Sequence, residues 1–244
     1  VKVEGLDHGE AARVIATWDG PRIEQSIAFD KEMARVSALR LWEEAVPITG
    51  TPAARYLGDI RGIDLAALPA DIDAALRFHP RCVFGSGTRH PCLMALMTDA
   101  TTGAATGVQR TALTADARKI DRRMLGRSGA VRLWRLGPML VVGEGLETTL
   151  AAATRLRHGG APLTPAWAAL SAEALGRLPV LPGVERLILL IDHDEAGRAA
   201  GRQCTDRWRR AGRTVVRLMP SNPGQDFNDL VLRDVAPCTS QMTA

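Results

Sequence analysis

Three short acidic motifs carry the strongest chemical signal in this 244-residue chain. Val141-Val142-Gly143-Glu144-Gly145-Leu146-Glu147-Thr148 sets Glu144 between two glycines just after an apolar run, so the backbone can turn tightly and a ligand can come close. Leu189-Leu190-Ile191-Asp192-His193-Asp194-Glu195-Ala196-Gly197 places two carboxylates two residues apart at the end of a wholly apolar segment. If extended geometry persists there, both side chains point the same way. Gly224-Gln225-Asp226-Phe227-Asn228-Asp229-Leu230 follows a third apolar run. Clustered carboxylates repel one another, and a hard cation with oxygen ligands, Mg²⁺ or Mn²⁺, relieves the repulsion. An Asp ahead of a helix also serves as an N-cap, which is the plainer reading of Asp192 and Asp194 taken alone. The three motifs together favour a metal site of Glu144, Asp192 and Asp194, with Asp226 assisting.

Such a site needs a sheet that brings strand ends together. From residue 136 onward strand and helix alternate: an apolar run at 139–143, a helix at 146–157, a run at 166–170 and a short helix. A run at 187–191, a long helix at 195–211, a run at 214–219 and a last helix near 227–233 complete the series. Runs apolar on both faces and spaced by helices imply a parallel sheet covered on both sides. In such Rossmann-like α/β units ligands bind at the carboxyl ends of the strands, where the three motifs fall.

Upstream, residues 1–45 read as a strand or two, with alternation in Ile23-Glu24-Gln25-Ser26-Ile27-Ala28, followed by a helix at 30–44. Thr51-Pro52 is a cap and first helical position for a short helix through Leu57, and another helix is expected at 65–76. Residues 77–133 read as antiparallel strands with turns at Thr101-Thr102-Gly103 and Thr114-Ala115-Asp116. The expected division is an α+β unit at 1–135, an α/β unit at 136–235 and a loose tail at 236–244.

With 46% apolar residues the chain can bury a sizeable core. The net charge of +4 rests almost wholly on arginine, lysine occurring only at Lys2, Lys31 and Lys119. Arginine suits phosphate recognition, although codon bias in a GC-rich genome yields the same composition. No run approaches the roughly 20 apolar residues that span a bilayer, and residues 1–10 lack a signal peptide's apolar segment, so a cytoplasmic location without membrane contact is expected. The opening Val1 leaves room for a longer parent chain. Cys82, Cys92, Cys204 and Cys238 form no C-x-x-C pair, which favours reduced thiols. His79-x-x-Cys82 and His90-x-Cys92 could be assembled into a zinc site, but the second pair's spacing is tight and Pro80 and Pro91 intervene, so zinc is the minor reading. Cys204 shares a helical face with Ala196, Ala200 and Trp208, and Trp134, Trp167 and Trp208 read as core.

The E-G motif after one strand and D-x-D-x-x-G after a later one resemble the Toprim domain. That domain is shared by DnaG-type primases, type IA and type II topoisomerases, OLD-family nucleases and RecR-like recombination proteins. The resemblance covers about 136–232 and is greatest to phage- and plasmid-type Toprim primases. E-G-x-E-T departs from the replicative primases, whose second acid falls one residue later, where this chain has Thr148. Tyr56-Leu57 to Arg61-Gly62-Ile63, Leu76-Arg77-Phe78-His79-Pro80 and Gly107-Val108-Gln109-Arg110-Thr111 resemble the segment before Toprim in the same proteins.

The resemblance implies a Toprim Rossmann-like parallel sheet with helices on both faces, preceded by a basic α+β subdomain. It implies Mg²⁺- or Mn²⁺-dependent, two-metal nucleotidyl transfer that builds a short primer from nucleoside triphosphates on a single-stranded DNA template. Glu144, Asp192 and Asp194 would be catalytic, and with Asp226 would hold the metal. Arg110, Arg118, Lys119, Arg122 and Arg123 would bind nucleotide or template, and Gly145, Glu147, Gly197, Asn228 and Asp229 would support the site. Implied partners are a replicative helicase or a zinc-binding domain not found in this sequence. Rival readings are a Toprim nuclease and a non-catalytic nucleic-acid-binding module. A topoisomerase needs a nucleophilic tyrosine and DNA-gating domains, and Tyr56 is the only tyrosine.

Overall fold

The structure, a computed structural model, describes residues 21–85 and 87–235. The expected tail at 236–244 and any strand before residue 21 lie outside the described residues. The first element, α1 (Pro21–Glu43), runs through residues 23–28, where alternation suggested a strand. Six alternating residues are outweighed by a long helix that buries Ala38 and Trp42 against a sheet.

A four-residue helix, α2 (Pro52–Arg55), passes directly into a π-turn at Tyr56–Ile60. Thr51 occupies the N-cap position, yet its hydroxyl donates back to the Ile48 carbonyl at 2.5 Å and does not cap the helix. The continuous helix expected at 65–76 is replaced by two single 3₁₀ turns, Leu65–Ala67 and Ile72–Ala74. Pro69 between them disfavours helical geometry at Leu68, which is extended.

Strands β1 (Leu76–Gly85), β2 (Thr88–Thr98), β3 (Ala105–Leu113) and β4 (Lys119–Gly126) form an antiparallel sheet in sequential order. Cys82, Phe84, Cys92, Met94, Val108 and Ala112 pack beneath α1 on one face. Leu93, Ala95, Met97 and Leu113 belong to a different core on the other face. An irregularity in β1 between His79 and Cys82 lets that strand feed Phe78 to one core and Phe84 to the other.

The second sheet has the order β11-β10-β6-β9-β5, comprising β5 (Val131–Arg132), β6 (Met139–Gly143), β9 (Ala166–Ala168), β10 (Arg186–Leu190) and β11 (Thr214–Leu218). All its pairings are parallel except β5 with β9. Between β6 and β9 lie α3 (Leu146–Arg155) and a two-stranded ribbon of β7 (Arg157–His158) and β8 (Ala161–Pro162). The remaining helices are α4 (Ala172–Gly176), α5 (Glu195–Arg210) and α6 (Phe227–Val235).

Both faces of this sheet are covered, as the apolar runs required. Leu140, Val142, Leu187 and Leu189 pack with Leu175 of α4 and with Cys204 and Trp208 of α5. Val141, Ile188 and Leu190 point the other way, onto Ala152 and Ala153 of α3 and Phe227 of α6.

One core spans the two sheets. Tyr56, Leu57, Ile63, Leu93 and Leu113 share a cluster with Leu146, Leu150 and Ala151 of α3 and Val231 of α6. Leu150 is fully buried there. Leu150→Ala is expected to cost about 2–5 kcal/mol. Because the cluster is common to both sheets, urea unfolding of this variant should remain a single transition at a lower midpoint; two separated transitions would contradict the shared core.

Candidate functional site

The acidic motifs meet at the carboxyl edge of the second sheet. Glu144 follows β6, Asp192 and Asp194 follow β10, and Asp226 immediately precedes α6. Burial, then the charges of Glu144, Asp226, Asp194 and Asp229, pushes the Asp192 carboxyl up to about 7. Glu144 is pushed upward by burial and then by Asp194, with partial relief from the Ala172 N–H and from Arg122. Asp192 Oδ1 is buried without a hydrogen-bond partner.

The two aspartates of the D-x-D motif do different work. β10 ends at Leu190, and the Asp194 N–H donates back to the Asp192 carbonyl at 2.8 Å, so the extended geometry assumed from sequence does not persist. Asp194 caps α5, its Oδ1 accepting from the Gly197 N–H at 2.7 Å. Capping therefore accounts for one oxygen of Asp194 and leaves Asp192 unexplained. Gly197 is required by its surroundings, since a Cβ there would stand 2.6 Å from the Asp192 carbonyl oxygen.

Asp226 is drawn in by the loop after β11. His193 hydrogen-bonds the Pro220 carbonyl through Nδ1 at 2.8 Å, and its own carbonyl accepts from the Gly224 N–H at 2.9 Å. Asp226 Oδ2 accepts from the Thr148 hydroxyl at 3.0 Å, and Oδ1 accepts from the Asp229 N–H at 2.9 Å. Asp229 returns the bond, accepting from the Asp226 N–H at 3.1 Å. The pair thus forms a reciprocal cap on α6. Thr148, at the position where the replicative primases carry their second acid, holds Asp226 in place.

Glu147 faces away from these acids. It is buried, and its Oε1 accepts from the Tyr56 hydroxyl at 2.9 Å. Arg61 Nε donates to the same hydroxyl at 3.0 Å, and Arg61 Nη1 donates to Asn228 Oδ1 at 3.1 Å. Asn228 Nδ2 completes the ring by donating to the Arg61 carbonyl at 2.6 Å. Burial, then the Glu147 charge, raises the Tyr56 phenol well above its ordinary value. The sequence marked Glu147 and Asn228 as supporting residues but offered no partner for them. A lone Tyr56 five residues before Arg61 was the available signal.

The basic residues separate by strand face. Arg110 pairs in register with Arg123, and Thr111 with Arg122. Arg122 is the one whose charge reaches Glu144. Arg110 is buried within the sheet, donating to the Val83 and Met124 carbonyls. Arg123 binds Asp121 at 3.0 Å and the Phe84 carbonyl at 3.0 Å. Arg118 pairs with Asp116 at 3.1 Å, and Lys119 is exposed at the start of β4.

Residues 139–236 match the family model of the Toprim domain. This segment is similar to the Toprim domain. Residues 32–134 match a Domain of unknown function (DUF7146). The DnaG catalytic core superposes with a TM-score of 0.53 at 16% identity, over 84% of this chain and 76% of that one. A DNA primase domain from Pseudomonas aeruginosa gives a TM-score of 0.50 at 18% identity, over 82% and 75% of the two chains. The zinc-binding and RNA polymerase domains of the Aquifex aeolicus primase give 0.51 at 16% identity, over 84% and 58%. The likeness is one of fold: this chain has the architecture of a DnaG-type primase catalytic core. No curated protein matches it in sequence.

The Toprim donor set fits a hard divalent cation in its chemistry. It is all carboxylate, and the buried Asp192 Oδ1 lacks any other partner. Among the described residues no group of three His, Cys, Asp or Glu side chains stands where it could hold a metal ion. Mg²⁺ does not require such a group, since it keeps several waters and is usually held by one or two carboxylates together with substrate phosphates.

Two outcomes follow. The folded Asp192 carboxyl titrates near 7 against 3.8 when unperturbed, so the native state binds more protons than the unfolded state between these values and stability falls as pH rises through that window. In EDTA, Asp192→Asn should match the wild type near pH 4 and exceed it at pH 8, by on the order of 1–2 kcal/mol once solvent screening is allowed for. Thermal melts across pH read this directly. Separately, Tyr56→Phe strips a donor from buried Glu147 and should cost about 1–3 kcal/mol. Glu147→Gln, which keeps an acceptor, should cost less in the same melts.

Proposed function

We propose that this chain is a primase-like nucleotidyltransferase that joins nucleotides into a short primer on a single-stranded DNA template, using Mg²⁺ or Mn²⁺. The observation that carries this reading is Asp192, a half-buried carboxylate with an unmet oxygen, crowded by four other acids at the carboxyl edge of the Toprim sheet. The primase-core architecture supports it, and so does a basic strand opposite the acids.

In the reaction a ribose 3′-hydroxyl attacks the α-phosphorus of an incoming nucleoside triphosphate, the new ester bond forms, and pyrophosphate leaves. Divalent cations bound at Glu144, Asp192 and Asp194 would supply charge stabilisation for the attacking and leaving oxygens. The Thr148 hydroxyl donates to Asp226 and holds that acid beside the others. Arg122, on the strand whose charge reaches Glu144, would meet the triphosphate. Lys119 and Arg118, exposed at the β3–β4 turn, would neutralise template phosphates, with affinity falling as salt rises. A replicative helicase or a separate zinc-binding domain is the proposed partner for template choice.

The test is incubation of the protein and Mg²⁺ with labelled nucleotides and single-stranded DNA, alongside supercoiled plasmid. Extension products from wild type, reduced about 100-fold or more in Asp192→Asn at unchanged folding, are expected. Plasmid nicking without extension would replace this reading with the nuclease. DNA binding without either would leave a non-catalytic module.

A further inference from the structure

A cavity of about 670 Å³ lies between α1 and the antiparallel sheet and is lined by Arg40, Arg89, Arg110, Arg123, Glu44 and Phe84. Arg110 is its buried wall, 7% exposed. Its two terminal nitrogens reach backbone carbonyls, the Cys82 thiol lies beside it, and its Nε has no partner. Among the described residues no carboxylate lies within ion-pair distance of it. Burying a guanidinium without an anion is costly, and a fold retains such a charge most readily where an anion comes to it.

The rest of the lining points the same way. Arg110 and Arg123 approach the Phe84 ring at 5.6 and 5.0 Å from its centroid, which orients both forks. Arg89 donates to the Arg81 carbonyl and forms no ion pair among the described residues. The single acid, Glu44, is already engaged by His79 at 3.3 Å and Arg40 at 3.7 Å. Of the four guanidinium groups, Arg40 pairs with Glu44 and Arg123 with Asp121, which leaves Arg89 and Arg110 without an acid among the described residues and the lining cationic. Guanidinium forks match phosphate oxygens in pairs, and the volume suits a small molecule. The cavity opens on the α1 face of the sheet, whereas Arg122, the next residue along β4 from Arg123, reaches Glu144.

We propose that this cavity is a second anion site, separate from the Toprim carboxylates, that takes a polyphosphate group, either free pyrophosphate or the phosphate chain of a nucleotide, without a metal ion. Its occupancy is independent of the primase reading. The full chain would be titrated calorimetrically in EDTA with pyrophosphate and with ATP, and with sulfate at matched ionic strength. Saturable binding of pyrophosphate or ATP is expected, weakened about tenfold or more in Arg89→Gln/Arg123→Gln and unchanged in Asp192→Asn. Arg110 stays in place so that the core beneath α1 is kept. ATP binding more tightly than pyrophosphate identifies a nucleotide ligand, and equal affinity identifies the phosphate chain alone. No saturable binding, equal binding of sulfate, wild-type affinity in the double variant, or loss in Asp192→Asn would each overturn the proposal.

Discussion

Electrostatic repulsion at the end of β10 organises much of this molecule. Asp192 sits half-buried beyond an apolar strand with Glu144, Asp226, Asp194 and Asp229 all pressing on it. No chain left to relax would hold five carboxylates so close. The arrangement persists because four of the five acids are anchored by something other than their charge. Asp194 is fixed as a helix cap, Asp226 and Asp229 as a reciprocal cap, and Glu144 by a backbone N–H. Asp192 alone has no such anchor for its buried oxygen.

The same logic explains what the upstream segment contributes. The turn containing Tyr56 and Arg61 does not touch the crowded acids. It grips Glu147 at the start of α3 and Asn228 at the start of α6, the two helices that follow Glu144 and Asp226. A shared apolar cluster beneath this network joins the two sheets. Placement of the acids is therefore a property of both halves of the molecule.

Much of this could be read from residues in order. Alternating apolar runs and helices gave the second sheet, because residues such as Val141 and Val142 need cover on opposite faces and both get it. Glycines flanking Glu144 and the D-x-D spacing gave the edge where the acids gather. Sequence could not show that Asp194 turns aside to cap a helix, since that depends on β10 ending before Asp192. Nor could it separate Arg110 from Arg122, because which face of β3 and β4 meets α1 is set by packing. Helix at residues 23–28 overrode a local alternation for the same reason, through contacts made farther along α1.

Strand β5 has a wider consequence. It lies at residues 131 and 132, upstream of the Toprim sequence match, yet it closes the outer edge of the Toprim sheet by running against β9. A fragment cut at the family boundary would bare the unpaired backbone of β9, the kind of open edge along which copies of a chain zip together. The functional module and the foldable module thus have different borders, and a gene fusion or transplant that respects only the former would inherit a sticky seam.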